Sequence, residues 1–104
     1  MITIIFRIII KKGTEEEFKN VIKDLTISAY TEPERCIQYA FHQNVHNPRE
    51  FILYEQWDDQ KTLNAHLRRL EVLFGPKAKN SSLPTKLNDY FESTEDLLYK
   101  ESNN

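Results

Sequence analysis

Residues 2–10 are apolar except for Thr3 and Arg7, a run that fits a strand. Ile4, Phe6, Ile8 and Ile10 fall on one side and Thr3, Ile5, Arg7 and Ile9 on the other. Most of these residues are β-branched, as strands favour. Both sides are largely apolar, whereas a small antiparallel sheet normally shows water a polar face. Two greasy faces call for two coverings. The helices of one chain supply one, so a second subunit is expected to supply the other.

The period then changes from two to 3.6. Phe18, Val21, Ile22, Leu25 and Ala29 share one face of a helix expected over about 14–30. Thr14 and Glu17 carry the spacing of a capping box, with Glu15 and Glu16 adding negative charge at the helix start. Pro33 prevents continuation. Alternation returns over about 36–44, with Ile37, Tyr39 and Phe41 opposite Gln38, Ala40, His42 and Asn44. A turn at 46–49, His-Asn-Pro-Arg, leads into a third strand over about 50–57, closing a hairpin. There Phe51, Leu53, Glu55 and Trp57 oppose Ile52, Tyr54 and Gln56. Alternation alone does not say which set meets the helices, because a one-residue slip inverts both strands.

Asp58 or Asp59 is placed to cap a second helix. Its stripe is Leu63, Leu67, Leu70 and Phe74, with His66 inside it. Gly75 and Pro76 end it, and residues 75–82 read as a mobile polar loop. Pro84 suits the first turn of a third helix carrying Leu87, Tyr90 and Phe91. A last strand is expected at about 95–100 with Leu97, Leu98 and Tyr99, followed by a frayed tail at 101–104. The order β-α-β-β-α-α-β predicts a ferredoxin-like α+β domain over 1–104: four antiparallel strands with helices on one face.

Composition narrows the function. At 104 residues the chain is one domain, burying roughly 60–65% of its unfolded surface. A net charge of −2 with mixed signs offers no basic footprint for nucleic acid. The apolar stretch 2–10 contains Arg7 and is half the length of a membrane span. Lys11 and Lys12 follow that stretch rather than precede it, which does not fit a secretory signal. The single cysteine, Cys36, fits a reducing interior, so a cytoplasmic protein is expected. Two glycines, Gly13 and Gly75, exclude a glycine-rich phosphate loop or a dinucleotide fingerprint. His42 and His46 lack companion cysteines or carboxylates, so no metal site is expected.

The residues with site chemistry concentrate in 36–66. His66 titrates near neutrality in its unperturbed state and suits a base or oxyanion partner. Trp57 offers a stacking surface and an N–H donor, and Tyr39 and Tyr54 offer hydroxyls. Glu55 has a plain alternative as a partner for a backbone amide or a histidine, and Arg7 as a contact to a second subunit. Each of these residues also has an ordinary structural reading as core or strand.

The run Tyr-Glu-Gln-Trp-Asp-Asp-Gln-Lys-Thr-Leu-Asn-Ala-His at 54–66, preceded by Cys-Ile-Gln-Tyr at 36–39, resembles the antibiotic biosynthesis monooxygenase family. The segment 83–92 is similar to a stretch in one branch of it. The resemblance implies a homodimeric α+β barrel and oxidation of a small aromatic or quinol substrate by O₂ without metal, flavin or haem. It also implies a pocket between sheet and helices. His66, Trp57 and Glu55 are accordingly expected in catalysis and Tyr39 and Tyr54 in substrate binding; Arg7 joins the substrate-binding set because a cation on an otherwise apolar face could meet a carboxylate or a second subunit. Glu32, Pro33, Glu34 and Arg35 depart from the Glu-Pro-Gly that often precedes the cysteine. Strand one lacks the asparagine used by a haem-degrading branch. Two other functions fit the same fold: a dimeric protein that holds a small aromatic or signalling metabolite without turnover, and an isomerase or lyase acting on a small carbonyl compound.

Overall fold

The computed structural model describes residues 1–31, 33–79, 81 and 83–100. The elements are β1 (Ile2–Ile10), α1 (Glu15–Ala29), β2 (Gln38–Asn44), β3 (Asn47–Trp57), α2 (Gln60–Phe74), α3 (Thr85–Asn88) and β4 (Phe91–Lys100). The strands form one antiparallel sheet in the order β2-β3-β1-β4. Helix α1 crosses from β1 to β2 and leaves room for β3 between them, the split crossover of a ferredoxin-like fold. The α+β class and element order are those expected from the sequence.

Register decides what the alternation left open. Ile4 pairs with Glu55, Phe6 with Leu53 and Ile8 with Phe51. Paired residues share a face, and Phe51, Leu53, Glu55 and Trp57 are all buried under the helices. Tyr39 is buried with them. The opposite face carries Ile5, Arg7 and Ile9 beside Ile52, Tyr54, Leu97 and Tyr99. Ile52 is 41% exposed and Tyr99 52%. No element of the chain lies over this face among the described residues, so its apolar side chains stand in contact with water.

Phe18 anchors α1. It is fully buried and meets Phe51, Tyr90, Phe41 and Phe91 at ring distances of 5.3 to 6.2 Å. The start of this helix differs from the expected capping box. Thr14 adopts φ −103° and ψ 7°, not the extended backbone that aims a cap oxygen over the first turn. Its hydroxyl donates to the Lys11 carbonyl instead, at 2.6 Å. Glu15 accepts from the amide of Gly13, and Glu17 accepts from the Tyr90 hydroxyl at 2.6 Å.

Other boundaries moved for identifiable reasons. β2 begins at Gln38 because the Cys36 amide donates to Ala29 of the helix end, outside the strand ladder. The hairpin turn is Val45 and His46, one step earlier than expected, closed by the His46 amide donating to Asn44 Oδ1 at 2.7 Å. Pro48 then lies within β3, outside the rungs to β1 that end at Glu50, where a missing N–H costs no sheet bond. α2 is capped by Asp59, which accepts from the Thr62 amide, and ends at Gly75 with φ 91°. The following loop is pinned rather than free. Pro76 accepts from the Thr85 amide and the Ala78 amide donates to Leu83, although positions 80 and 82 fall outside the described residues. α3 is a single turn, and Phe91 joins β4 opposite Ile10 instead of extending the helix. The expected frayed tail at 101–104 lies outside the described residues.

Candidate functional site

A cavity of about 200 Å³ lies between the sheet and the helices. Ile4 and Phe6 of β1 form its floor, and Leu63 and Leu67 of α2, with Leu83 and Leu87, form its roof. Among the described residues four polar side chains reach it: Tyr39, Glu55, His66 and Asp96. An apolar cavity of roughly 150 Å³ takes up benzene, so a space of this volume suits a single ring.

Alternation on β3 turns both Glu55 and Trp57 toward the helices. The Trp57 indole Nε1 donates to Glu55 Oε1 at 2.7 Å. The His66 ring, from α2, packs on Trp57 at 4.5 Å with planes inclined by 31°. Tyr39, from β2, meets His66 edge-on at 5.6 Å. Three consecutive elements, β2, β3 and α2, thus converge on one wall. Tyr30 at the end of α1 holds β2 in place: its hydroxyl accepts from the Tyr39 amide at 3.0 Å.

Burial reverses the titration expected from residue types. Desolvation holds Glu55 in its neutral form and raises it to about 7, even though the indole hydrogen bond pulls the other way. Desolvation, with the positive charge of Arg69, lowers His66 to about 4. His66 is therefore a neutral imidazole at physiological pH, and Glu55 is the group that changes charge there. His66 Nδ1 is buried with no hydrogen-bond partner among the described residues. Burial also raises the Tyr39 hydroxyl well above its ordinary range.

The residues named from sequence divide into two sets. Tyr39, Glu55 and His66 line the cavity, and Trp57 stands directly behind them. Trp57 is fully buried and gives its N–H to Glu55, so it presents neither a stacking surface nor a free donor to a bound ring. Tyr54 and Arg7 are on the other face of the sheet. Their positions in the pleat turn them away from the cavity, and Arg7 pairs there with Glu50 at 3.2 Å. Neither reaches a ligand held under the helices. Asp96 was not anticipated. It pairs with Phe6 through β1 and so projects to the cavity side. Its signal was a charged residue at an inward position of a strand whose start lay four residues earlier than expected.

Among the described residues, no group of three or more histidine, cysteine or acidic side chains is placed to hold a metal ion. Among them, too, no helix is long and apolar enough to cross a membrane.

The fold recurs in solved structures at low sequence identity. A Nitrosomonas europaea protein classed with the antibiotic biosynthesis monooxygenases superimposes with a TM-score of 0.76 at 20% identity, covering 97% of this chain and 98% of the other. A conserved protein from Methanosarcina mazei Go1 gives 0.72 at 23% identity, covering 97% and 92%. SnoaB, a cofactor-independent oxygenase from Streptomyces nogalater, gives 0.74 at 14% identity, covering 99% and 94%. No curated protein sequence matches the chain. The family model for antibiotic biosynthesis monooxygenase matches residues 1–73, which takes in β1 through nearly all of α2 and three of the four cavity-lining polar residues. With its sheet order, its cavity and that match over most of its length, the chain belongs to the antibiotic biosynthesis monooxygenase family.

Proposed function

We propose that the protein is a monooxygenase that oxidises a small quinol-type ring with O₂, without metal, flavin or haem, in the cavity beneath α2. The observation that carries this reading is Glu55. It is a buried carboxyl titrating at about 7 on the wall of an apolar space sized for one ring.

The chemistry needs an electron-rich anion, because O₂ accepts electrons one at a time. Glu55 takes the hydroxyl proton of the bound quinol. The quinolate passes one electron to O₂, and the radical pair joins as a ring hydroperoxide, with the proton returned to the peroxide oxygen. Loss of water leaves a new carbonyl: a quinol RH₂ and O₂ give R=O and H₂O, so atoms and electrons balance without a further reductant. Neutral His66, on the cavity wall, presents an imidazole to the ring oxygen. Tyr39 supplies a hydroxyl that stays protonated. Trp57 is a positioning residue, fixing the Glu55 carboxylate through its indole N–H. A dry cavity strengthens each of these contacts.

The uncovered sheet face supports a homodimer. Ile5, Ile9, Ile52, Tyr54 and Leu97 form an apolar surface, with Arg7 and Glu50 as a charged pair on it, and a second copy would cover it. The same reading places the protein in the cytoplasm, where buried Cys36 stays reduced.

The test is O₂ uptake with methylhydroquinone, compared with buffer and with the Glu55→Gln variant. Uptake above the buffer rate that falls at least about a hundredfold in Glu55→Gln is expected, the usual scale of general-base catalysis. Rates equal to buffer would remove the oxygenase reading and leave that of a binding protein.

A further inference from the structure

The cavity has an acidic group at each end. Glu55 sits at its inner wall, 5% exposed, and Asp96 is exposed at its rim on β4. No lysine or arginine lines it among the described residues. The two carboxyls flank β1, since Glu55 pairs with Ile4 and Asp96 with Phe6. Strands about 4.8 Å apart and a rise of about 3.4 Å per residue set their Cα atoms about 12 Å apart on the same face. Ile4 and Phe6 lie between them as an apolar floor.

Resting on the reading of this cavity as a ring site, we propose that Asp96 is a specificity residue and that the site selects by charge. It takes an uncharged ring with hydrogen-bond donors at opposite ends, one hydroxyl at Glu55 and the other at Asp96, and it rejects rings that carry a carboxylate. A ring carboxylate held beside Asp96 meets a like charge at short range, a repulsion that water at the exposed rim weakens but does not remove. A donor facing each carboxyl is instead a charge-assisted hydrogen bond. The spacing also orients the ring: its long axis runs across β1, with one hydroxyl at the proton acceptor.

Calorimetric titration under nitrogen tests this with two probes at pH 8, methylhydroquinone and 2,5-dihydroxybenzoate. The neutral probe is expected to bind at least about tenfold more tightly. Asp96→Asn should narrow that ratio at least about threefold, with ionised Glu55 keeping part of it, and Asp96→Lys should narrow it further. Equal affinities in the unaltered protein, or an unchanged ratio in Asp96→Asn, would overturn the proposal. A neutral-ring preference in a protein that consumes no O₂ supports the charge filter and removes the oxygenase reading. O₂ uptake with equal affinities does the reverse, and failure of methylhydroquinone to bind overturns both.

Discussion

The Trp57 indole donates to the Glu55 carboxylate at 2.7 Å from two residues further along the same strand, with both side chains turned under the helices. That bond favours the ionised carboxylate, while burial favours the protonated one, and burial wins: the group sits at about 7. Tyr39 from β2 and His66 from α2 face the same carboxyl, Cys36 lies near enough to interact with its charge, and none of the three adds a positive charge at neutral pH. Turnover that needs the ionised form should rise with pH and level off above about 7. Trp57→Phe keeps most of the packing and removes the donor. The midpoint of the pH–rate profile should move upward in this variant, and an unmoved midpoint would show that another group sets it.

Tyr39 and Tyr54 belong to adjacent strands but opposite faces. Tyr39→Phe should weaken binding of a hydroxylated ring by about 0.5–1.5 kcal/mol, the net value of one hydrogen bond. Tyr54→Phe, on the face away from the cavity, should leave the affinity unchanged. Calorimetry on both variants checks the facing, because a register slipped by one residue would reverse the two results.

The elements were legible because their signals are strong: a nine-residue, mostly β-branched apolar run in β1 and a 3.6-residue stripe in each long helix. The facing of β2 and β3 was not, since a pleat is symmetric until something covers one side. Register, not alternation, puts Tyr54 of β3 and Arg7 of β1 on the face away from the cavity. His66 illustrates a second limit. Its place in the stripe of α2 was visible, but its shift to about 4 comes from the packing of Trp57, Tyr39 and the cavity around it, which is non-local. Asp96 was hidden by a boundary, because Phe91 looked like the next turn of α3 and the inward positions of β4 had no fixed start.

The open face yields a prediction about assembly. Ile52 is central on β3 and 41% exposed, opposite Arg7 in register. Ile52→Lys places a charge where a second sheet would rest. The unaltered protein should sediment as a dimer at micromolar concentration and the variant as a monomer. A monomer in both would mean that the apolar face meets some other partner.

Gly75 ends α2 at φ 91°, a backbone that side chains rarely adopt, although a Cβ there would meet nothing within 4 Å. Gly75→Ala should therefore destabilise through the backbone alone, by about 1–2 kcal/mol, read as a lower denaturant midpoint with an unchanged slope.

Glu55 and His66 are shifted in opposite directions, and stability against pH should show it only when one is removed. Between about 4.5 and 7 the unfolded chain has lost the Glu55 proton while the folded chain keeps it, so this group makes stability fall as pH rises. Between about 4 and 6.5 the unfolded chain carries a proton on His66 while the folded chain does not, so this group makes stability rise with pH. The windows overlap from about 4.5 to 6.5, where the two slopes cancel. Each shift is about 2.5 units, or about 3 kcal/mol across its full window. Relative to the unaltered protein, Glu55→Gln should gain stability as pH rises from 4.5 to 7, and His66→Gln should lose it as pH rises from 4 to 6.5. Urea titrations at four pH values give both slopes. Parallel curves for all three proteins would mean that neither group is buried as the cavity wall requires.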